Sequence, residues 1–360
     1  MRTVKFENIE NFRDLGGYPC DYGETSFGAI YRSATLAYAS EKDVGRMVEI
    51  GIKTVIDLRE EKVKRELPNP VIGDSRFTYI SLPVNGNGRL PKDHLDQVDS
   101  YLEMLEDPYT ARNIFRAILN APKPLVFHCN AGKDRTGAFS MILLLLAGVP
   151  VEDVNADYML SYPLLPKMTV NTRTYHPEVP ELLLIPNTDF LPEVIQVFFD
   201  RYGSLEDYFD AIGMSEDEFL ALKNILGKQE RSYGAVVVHD DRVLVLHSAL
   251  GHYTLVKGHE EKEDVDGFAT ARREIKEEVG LEVDSFVDGF QTSISYSPYP
   301  GVFKEVVFYL ANVNSTDMDY QKEEVQDAYF LSPRDALRVL SHDSDREALK
   351  KAISFLYPQK

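Results

Sequence analysis

Positive charge, cysteine and long apolar runs are what this 360-residue chain has least of. Lys and Arg number 39 against 58 Asp and Glu, a formal charge of -19, which argues against a nucleic-acid backbone or an anionic membrane as the main partner. Any phosphate-binding site must then be a local positive pocket in an acidic surface. Two cysteines, Cys20 and Cys129, make neither a disulfide framework nor a zinc set, which fits a reducing, cytoplasmic setting. Cys20 reads as a small structural residue, with a resolving partner for oxidised Cys129 as the alternative. The longest apolar stretch, Phe139 to Val149, is too short to span a bilayer, and the first residues, Met1 to Glu7, form no apolar signal segment. No membrane insertion is expected. The length favours two domains of ordinary size over one. The oligomeric state is left open.

What is present begins with His128-Cys129-Asn130-Ala131-Gly132-Lys133-Asp134-Arg135-Thr136-Gly137. A cysteine and an arginine stand with five residues between them, after the apolar strand Pro124 to Phe127 and before the apolar helix Phe139 to Leu146. A thiol attacks phosphorus only as thiolate. Amides of a tight turn ahead of a helix can stabilise that anion, so Asn130, Ala131, Gly132, Lys133 and Gly137 are read as phosphate-binding positions and Cys129 as the nucleophile. The planar fork of Arg135 can hold two phosphoryl oxygens at once. Gly132 and Gly137 remove side chains where backbone must approach the anion. Thr136 can hydrogen-bond the sulfur and ease its departure. A plain buried cysteine in a glycine-containing turn is the competing reading.

A leaving alkoxide needs a proton, and Asp134 is the carboxylate nearest in sequence. Asp93, Asp96 and Asp99, upstream on a possible mobile segment, are the alternatives, and Asp134 could instead hold Lys133 or Arg135. Lys133 adds a second cation, which suits a substrate with more than one phosphate, such as an inositol phosphate; it could equally do no more than offset Asp134. Arg13-Asp14 could be an ion pair, and Asp57-Arg59 a polar cluster at a strand end.

Together with Asn11-Phe12-Arg13-Asp14-Leu15-Gly16-Gly17, Tyr31-Arg32-Ser33-Ala34, the strand Thr54 to Arg59, Gly148-Val149-Pro150, Asp157-Tyr158 and Tyr202-Gly203-Ser204, the loop resembles the bacterial tyrosine phosphatase-like family, relatives of the atypical dual-specificity phosphatases. The resemblance covers residues 1–228. It implies an α/β fold, a mostly parallel sheet flanked by helices with the cysteine loop at the carboxyl ends of the strands, needing no cofactor. In that family an acid at the position of Asp134 can protonate the leaving group.

A polar connector at Gly227 to Arg231 marks a boundary, with fresh strands expected at Tyr233 to Val238 and Arg242 to Leu246. Residues 229–360 would form the second domain. On a helix, Glu274, Glu277 and Glu278 stand at i, i+3 and i+4 on one face, opposite an apolar stripe of Phe268, Ala271, Ile275 and Val279, with Gly280 as terminator. Clustered carboxylates repel unless a hard cation sits among them, and Mg2+ is the natural occupant. The pattern resembles the Nudix box, G-x5-E-x7-R-E-U-x-E-E-x-G-U with U aliphatic, and matches it at every position from Arg273 to Leu281. The first half departs. Val265 stands where the box has glutamate and His259 where it has glycine, so one residue is inserted after Gly258, and Glu263 or Asp264 could supply the missing carboxylate.

The resemblance implies a Nudix α/β/α sandwich, with Gly258 and the three glutamates at the metal and Arg273 in support. Val256-Lys257-Gly258-His259, the strand Lys304 to Ala311 and the region Glu324 to Leu331 look like the dinucleoside polyphosphate hydrolases of that superfamily, where Glu323 or Glu324 could position water or metal. The expected function is a phosphohydrolase with two chemistries, acting on a phosphorylated small molecule or a phosphoprotein through a cysteinyl-phosphate and on a diphosphate-linked nucleotide with Mg2+. The alternative makes the second domain a nucleotide sensor that regulates the first.

Overall fold

The computed structural model describes residues 2–84, 91–185, 187–319 and 324–357. It divides into two compact units, Met1–Gln229 with Tyr299–Phe303, and Glu230–Pro298 with Lys304–Lys360.

In the first unit a five-stranded sheet runs in the order Arg13–Asp14, Ile30–Ser33, Leu125–His128, Thr54–Asp57, Thr78–Ser81. Only the edge pair Arg13–Asp14 with Ile30–Ser33 is antiparallel; the other three pairings are parallel. The middle strand Leu125–His128 is buried at all four residues, as an unbroken apolar run in a parallel sheet should be. The helix Arg135–Leu146 that follows is buried everywhere except Arg135 and Leu145. A helix apolar on all sides belongs inside the core. It packs there among the helices His94–Glu106, Pro108–Asn120 and Phe190–Tyr202, whose Tyr101, Phe115 and Phe198 are at most 1% exposed. The loop between strand and helix thus has both ends anchored in the best-packed part of the unit.

In the second unit the strand order is Tyr253–Thr254, Arg242–Ser248, Lys228–His239, Val302–Val313, Val283–Tyr296; Val256–His259 pairs with Lys228–His239, and Val325–Leu331 with Arg242–Ser248. Side chains alternate across a strand, and here the alternation is visible. Val236 and Val238 pack with Ala336, Leu340, Leu349 and Ala352 of the C-terminal helical region, whereas Ala235 and Val237 pack with Ile275 and Val279 of the helix Gly267–Val279. Helices on both faces of the sheet make the α/β/α sandwich.

One expectation is corrected here. Gly227 to Arg231 is not a connector: strand begins at Lys228, whose N–H donates to the carbonyl of Gly301 at 2.8 Å. Paired backbone made a strand of residues whose polar side chains suggested a linker. Among the described residues, no helix is long and apolar enough to cross a membrane.

Candidate active sites

Cys129 is the first residue beyond the middle strand, buried, with its Sγ accepting a hydrogen bond from the Gly132 N–H at 3.2 Å. Gly132 has φ +65°, and a Cβ there would fall 2.1 Å from the carbonyl oxygen of Ser33. The glycine therefore lets the loop lie directly on the neighbouring strand. At Gly137 a Cβ would meet the Tyr101 hydroxyl at 2.5 Å. The structure thus gives each glycine a reason in the scaffold, in addition to the room the anion needs.

Two buried polar groups of the loop have no hydrogen-bond partner, Arg135 Nη1 and Thr136 Oγ1. Arg135 Nη1 faces Glu60 at 3.9 Å. Buried donors are rarely left unpaired, so an anion seated on the loop would satisfy what the fold does not. Lys133 is buried, 2.7 Å from Asp134 Oδ1 and 5.7 Å from the centre of the Tyr158 ring. Burial works against its charge, but the neighbouring Asp134 outweighs that and raises its pKa. Lys133 is thus placed as the partner of Asp134, one of the two roles its position offers. Asp134 is itself 38% exposed at the side chain, so it remains accessible beside the loop. Asp93 and Asp96 are spent on the start of the helix His94–Glu106: Asp93 accepts from the Asp96 N–H, and Asp96 from the Lys92 N–H. Asp99 is exposed on that helix.

Arg13 does not pair with Asp14. Asp14 accepts N–H bonds from Gly16 and Gly28 at 2.9 and 2.7 Å, and Arg13 reaches across 144 residues to Asp157 at 2.8 Å. Asp57 and Arg59 do pair, at 2.7 Å, with His128 3.6 Å from Asp57. Burial pushes the Asp57 carboxyl up, yet His128 and Arg59 prevail and hold it at about 2. Cys20 is free and half-buried in the short strand Pro19–Cys20.

On the helix Gly267–Val279 the three glutamates do not share one role. Glu277 turns outward to Arg273 Nη1 at 2.8 Å, while Glu274 and Glu278 are half-buried. Glu274 accepts from the same Arg273 Nη1 at 2.8 Å, so the arginine bridges the two glutamates. Gly258 leaves room for Glu274, whose carboxylate would lie within 2.1 Å of any Cβ there. Burial first, then the charge of Glu274, pushes Glu278 up to about 8, and its Oε2 is buried with no hydrogen-bond partner. Glu324 adds to the negative field at both residues. Glu323 lies outside the described residues. Among the described residues no three His, Cys, Asp or Glu side chains converge tightly enough to hold an ion by themselves. The pair Glu274 and Glu278, with an unpartnered buried oxygen between like charges, nevertheless has the donor chemistry a divalent cation requires.

The inserted loop is tied down. Arg273 Nη2 donates to the His259 carbonyl at 2.7 Å and to Asp264 at 3.0 Å. Hydrogen bonds from Arg273 hold Asp264 at about 2. Asp264 is thus a loop anchor, and Glu263 and Val265 are exposed. Phe268, expected in the buried stripe, is 42% exposed and stacks on Tyr309 with ring centres 3.9 Å apart, whereas Ala271, Ile275 and Val279 are fully buried. Gly280 ends the helix at φ +72°, as expected.

Arg32, Asp157, Asn11 and Tyr101 are site residues that reasoning from the sequence missed as a group. Asn11 Nδ2 donates to the carbonyls of Ala131 and Gly132, Arg32 Nη2 to those of Gly132 and Lys133, and the Tyr101 hydroxyl to that of Lys133. Asn11, Arg32 and Asp157 stand in motifs named above, with no signal in the sequence of what they touch.

These loops and helices are those of known families. The tyrosine phosphatase family model matches residues 4–228 and the NUDIX domain model residues 228–352. The chain belongs to the tyrosine phosphatase family and carries a NUDIX domain behind that region. A Cupriavidus necator protein bearing the name tyrosine-protein phosphatase is 34% identical over 173 residues, covering 44% of this chain and 62% of that protein. A Nostoc commune tyrosine-protein phosphatase is 28% identical over 221 residues, 56% of this chain and 74% of its own length. The chain therefore spans less than two thirds of the first of these relatives. Among solved structures, a C. elegans Ap4A hydrolase in a binary complex is 24% identical, covers 35% of this chain and 97% of its own, and has a TM-score of 0.32.

Proposed function

We propose that the chain is a two-domain phosphohydrolase, with residues 1–228 hydrolysing phosphomonoesters through a cysteinyl-phosphate and residues 229–360 cleaving a diphosphate linkage with Mg2+. The observation that carries the first activity is the buried Cys129 sulfur held by the Gly132 N–H, beside unspent donors on Arg135 and Thr136. A phosphoryl group seated on the loop amides and Arg135 meets the Cys129 thiolate, the sulfur–phosphorus bond forms, and the ester oxygen leaves with a proton from Asp134. Water then attacks phosphorus while Asp134 takes its proton, the sulfur–phosphorus bond breaks to release phosphate, and Thr136 is placed to steady the departing thiolate. The pairing of Lys133 with Asp134 favours a substrate with one phosphate over one with several. A phosphoprotein and a phosphorylated small molecule are both within its reach, and the acidic surface disfavours nucleic acid. The scarcity of cysteine suits a cytoplasmic setting.

In the second domain, Gly258, Glu274 and Glu278 would hold the cation, with Glu324 beside them. Once bound, the ion would neutralise diphosphate oxygens and activate water. Arg273 fixes the helix to its inserted loop, and Glu278 holds a proton until a cation replaces it. A dinucleoside polyphosphate is the substrate class this domain's flanking motifs favour. Cleaving a diphosphate leaves a monophosphate, the substrate class of the first domain. The exposed Val265, where the box has glutamate, favours a second reading, in which this domain binds nucleotide without turnover and regulates the phosphatase.

Rapid acid quench of the full chain with an aryl phosphate in EDTA, followed by mass spectrometry, should find phosphate on Cys129. Turnover without that adduct, and undiminished in Cys129→Ser, would refute the phosphatase reading. A panel of diphosphates with Mg2+ separates turnover from binding alone in the second domain.

A further inference from the structure

Loop amides can converge on a sulfur only if the loop carbonyls point elsewhere, and a buried carbonyl must find a donor there. Three successive carbonyls do. Ala131 O receives Asn11 Nδ2 at 2.8 Å, Gly132 O receives Arg32 Nη2 at 2.8 Å, and Lys133 O receives the Tyr101 hydroxyl at 3.1 Å. Asn11 also reaches Gly132 O at 3.2 Å, from a backbone at φ +57° that asparagine tolerates better than most residues.

Beneath these donors sits an ion cluster with unequal charge. Asp157 binds Arg13 at 2.8 Å and Arg32 at 2.5 Å, and accepts the Tyr18 hydroxyl at 3.0 Å. Arg13, Arg32 and Asp157 have side chains at most 1% exposed. Two guanidinium groups against one carboxylate leave one positive charge uncompensated inside the unit. Burying an unbalanced charge is costly, and Arg13 with Asp157 would already have been a neutral pair. Lys133 and Asp134, bonded to each other, add no net charge. Holding the carbonyls requires only neutral donors, as Asn11 and Tyr101 demonstrate, so the extra charge needs another reason. An anion on the loop supplies one. Arg32 lies against the loop itself: a Cβ at Gly137 would lie 3.4 Å from Arg32 Nη2, and one at Gly132 would strike the strand that carries Arg32.

We propose that Arg32, seated on Asp157, is a positioning residue of the phosphatase site. It turns the Gly132 and Lys133 carbonyls away from the sulfur so that the amides face it, and its surplus charge favours the Cys129 thiolate and the bound phosphoryl group. Burial pushes the Asp157 carboxyl up, but Arg13 and Arg32 outweigh it and hold it at about 2, so the carboxylate seat stays ionised. This inference rests on the phosphatase reading above.

The test is a pH profile of Cys129 alkylation by iodoacetamide, with kcat and KM for an aryl phosphate, in full-length Arg32→Met and Arg32→Lys, each checked for folding by circular dichroism. Arg32→Met should lose roughly a hundredfold in kcat/KM, the scale set by a misplaced reactive group, and its alkylation profile should move to higher pH. Arg32→Lys keeps the charge but not the two-carbonyl fork, so it should recover the alkylation profile while kcat stays depressed. A folded Arg32→Met with the wild-type profile and wild-type kcat/KM would overturn the proposal. Should Arg32→Met fail to fold, Asn11→Gly and Tyr101→Phe carry the test. Smaller kcat losses of a few fold in both would support it, and unchanged kinetics in both would overturn it. Undiminished metal-independent turnover in Cys129→Ser would refute the underlying phosphatase reading. A dead Cys129→Ser beside an unaltered Arg32→Met would refute this inference alone.

Discussion

The two sites handle charge in opposite ways. Around the cysteine loop the fold has already assembled the positive side of the interaction: Arg135 and the loop amides above, Arg13 and Arg32 against Asp157 below. On the Nudix helix it has clustered carboxyl groups, with Glu274 and Glu277 accepting from Arg273 while Glu278 Oε2 stays buried and unpartnered beside Glu274. On the proposed function a phosphate would complete the first site directly, whereas the second would need a cation before a phosphate approached. Preorganisation for an anion can be built from backbone and buried arginine; preorganisation for an anion through a metal must begin with a surplus of carboxylates.

The contrast can be broken most forcefully at Cys129. Cys129→Ser should lower metal-independent monoester hydrolysis on the order of 10⁴-fold or more, as loss of a nucleophile does. Steady-state rates in EDTA measure it, and Mg2+-dependent diphosphate cleavage in the same preparation should be untouched. Asp134→Asn comes next. It should slow alkyl phosphates by roughly 10²-fold and aryl phosphates with good leaving groups far less, since protonation matters only for poor leaving groups. Equal losses on both would make Asp134 simply the partner of Lys133.

Glu278→Gln probes the other site. Diphosphate turnover should fall on the order of 10²-fold, while metal-free stability should improve at neutral pH. The sign follows from the raised carboxyl. With a folded value of about 8 against an ordinary 4.5, Glu278 favours the folded state fully only below its unfolded value, and that contribution drains away as pH rises through 8. Thermal melts in EDTA between pH 5 and 8 should therefore show a decline in the wild type that Glu278→Gln lessens. The smallest effect is expected at Arg273. Arg273→Ala releases the His259 carbonyl and Asp264, and should lower stability by about 1–2 kcal/mol, scaled from charge-assisted bonds at a part-exposed site and read by denaturant titration.

The sequence showed local geometry more clearly than the long-range scaffold. Cys129, Arg135 and Gly280 could be read because local rules govern them: a strand-loop-helix turn and a left-handed terminator. What escaped was long-range or competitive. Arg13 has an aspartate beside it and chooses another 144 residues away, because strand geometry turns Asp14 toward the Gly16 and Gly28 amides. Glu277 shares a helical face with Glu274 and Glu278 by periodicity, yet it lies exposed against Arg273. Phe268 fits the apolar stripe by spacing, yet Tyr309 offers it a stacking surface near solvent. Each case is a side chain with two admissible partners, and only the fold decides between them.

The central claim is that two sites of opposite charge logic work independently in one chain. Both activities measured in one wild-type preparation across a Mg2+ and EDTA titration test it most directly. Monoester hydrolysis should stay constant while diphosphate cleavage rises from nothing with Mg2+; monoester hydrolysis that falls in step with chelation would contradict the account.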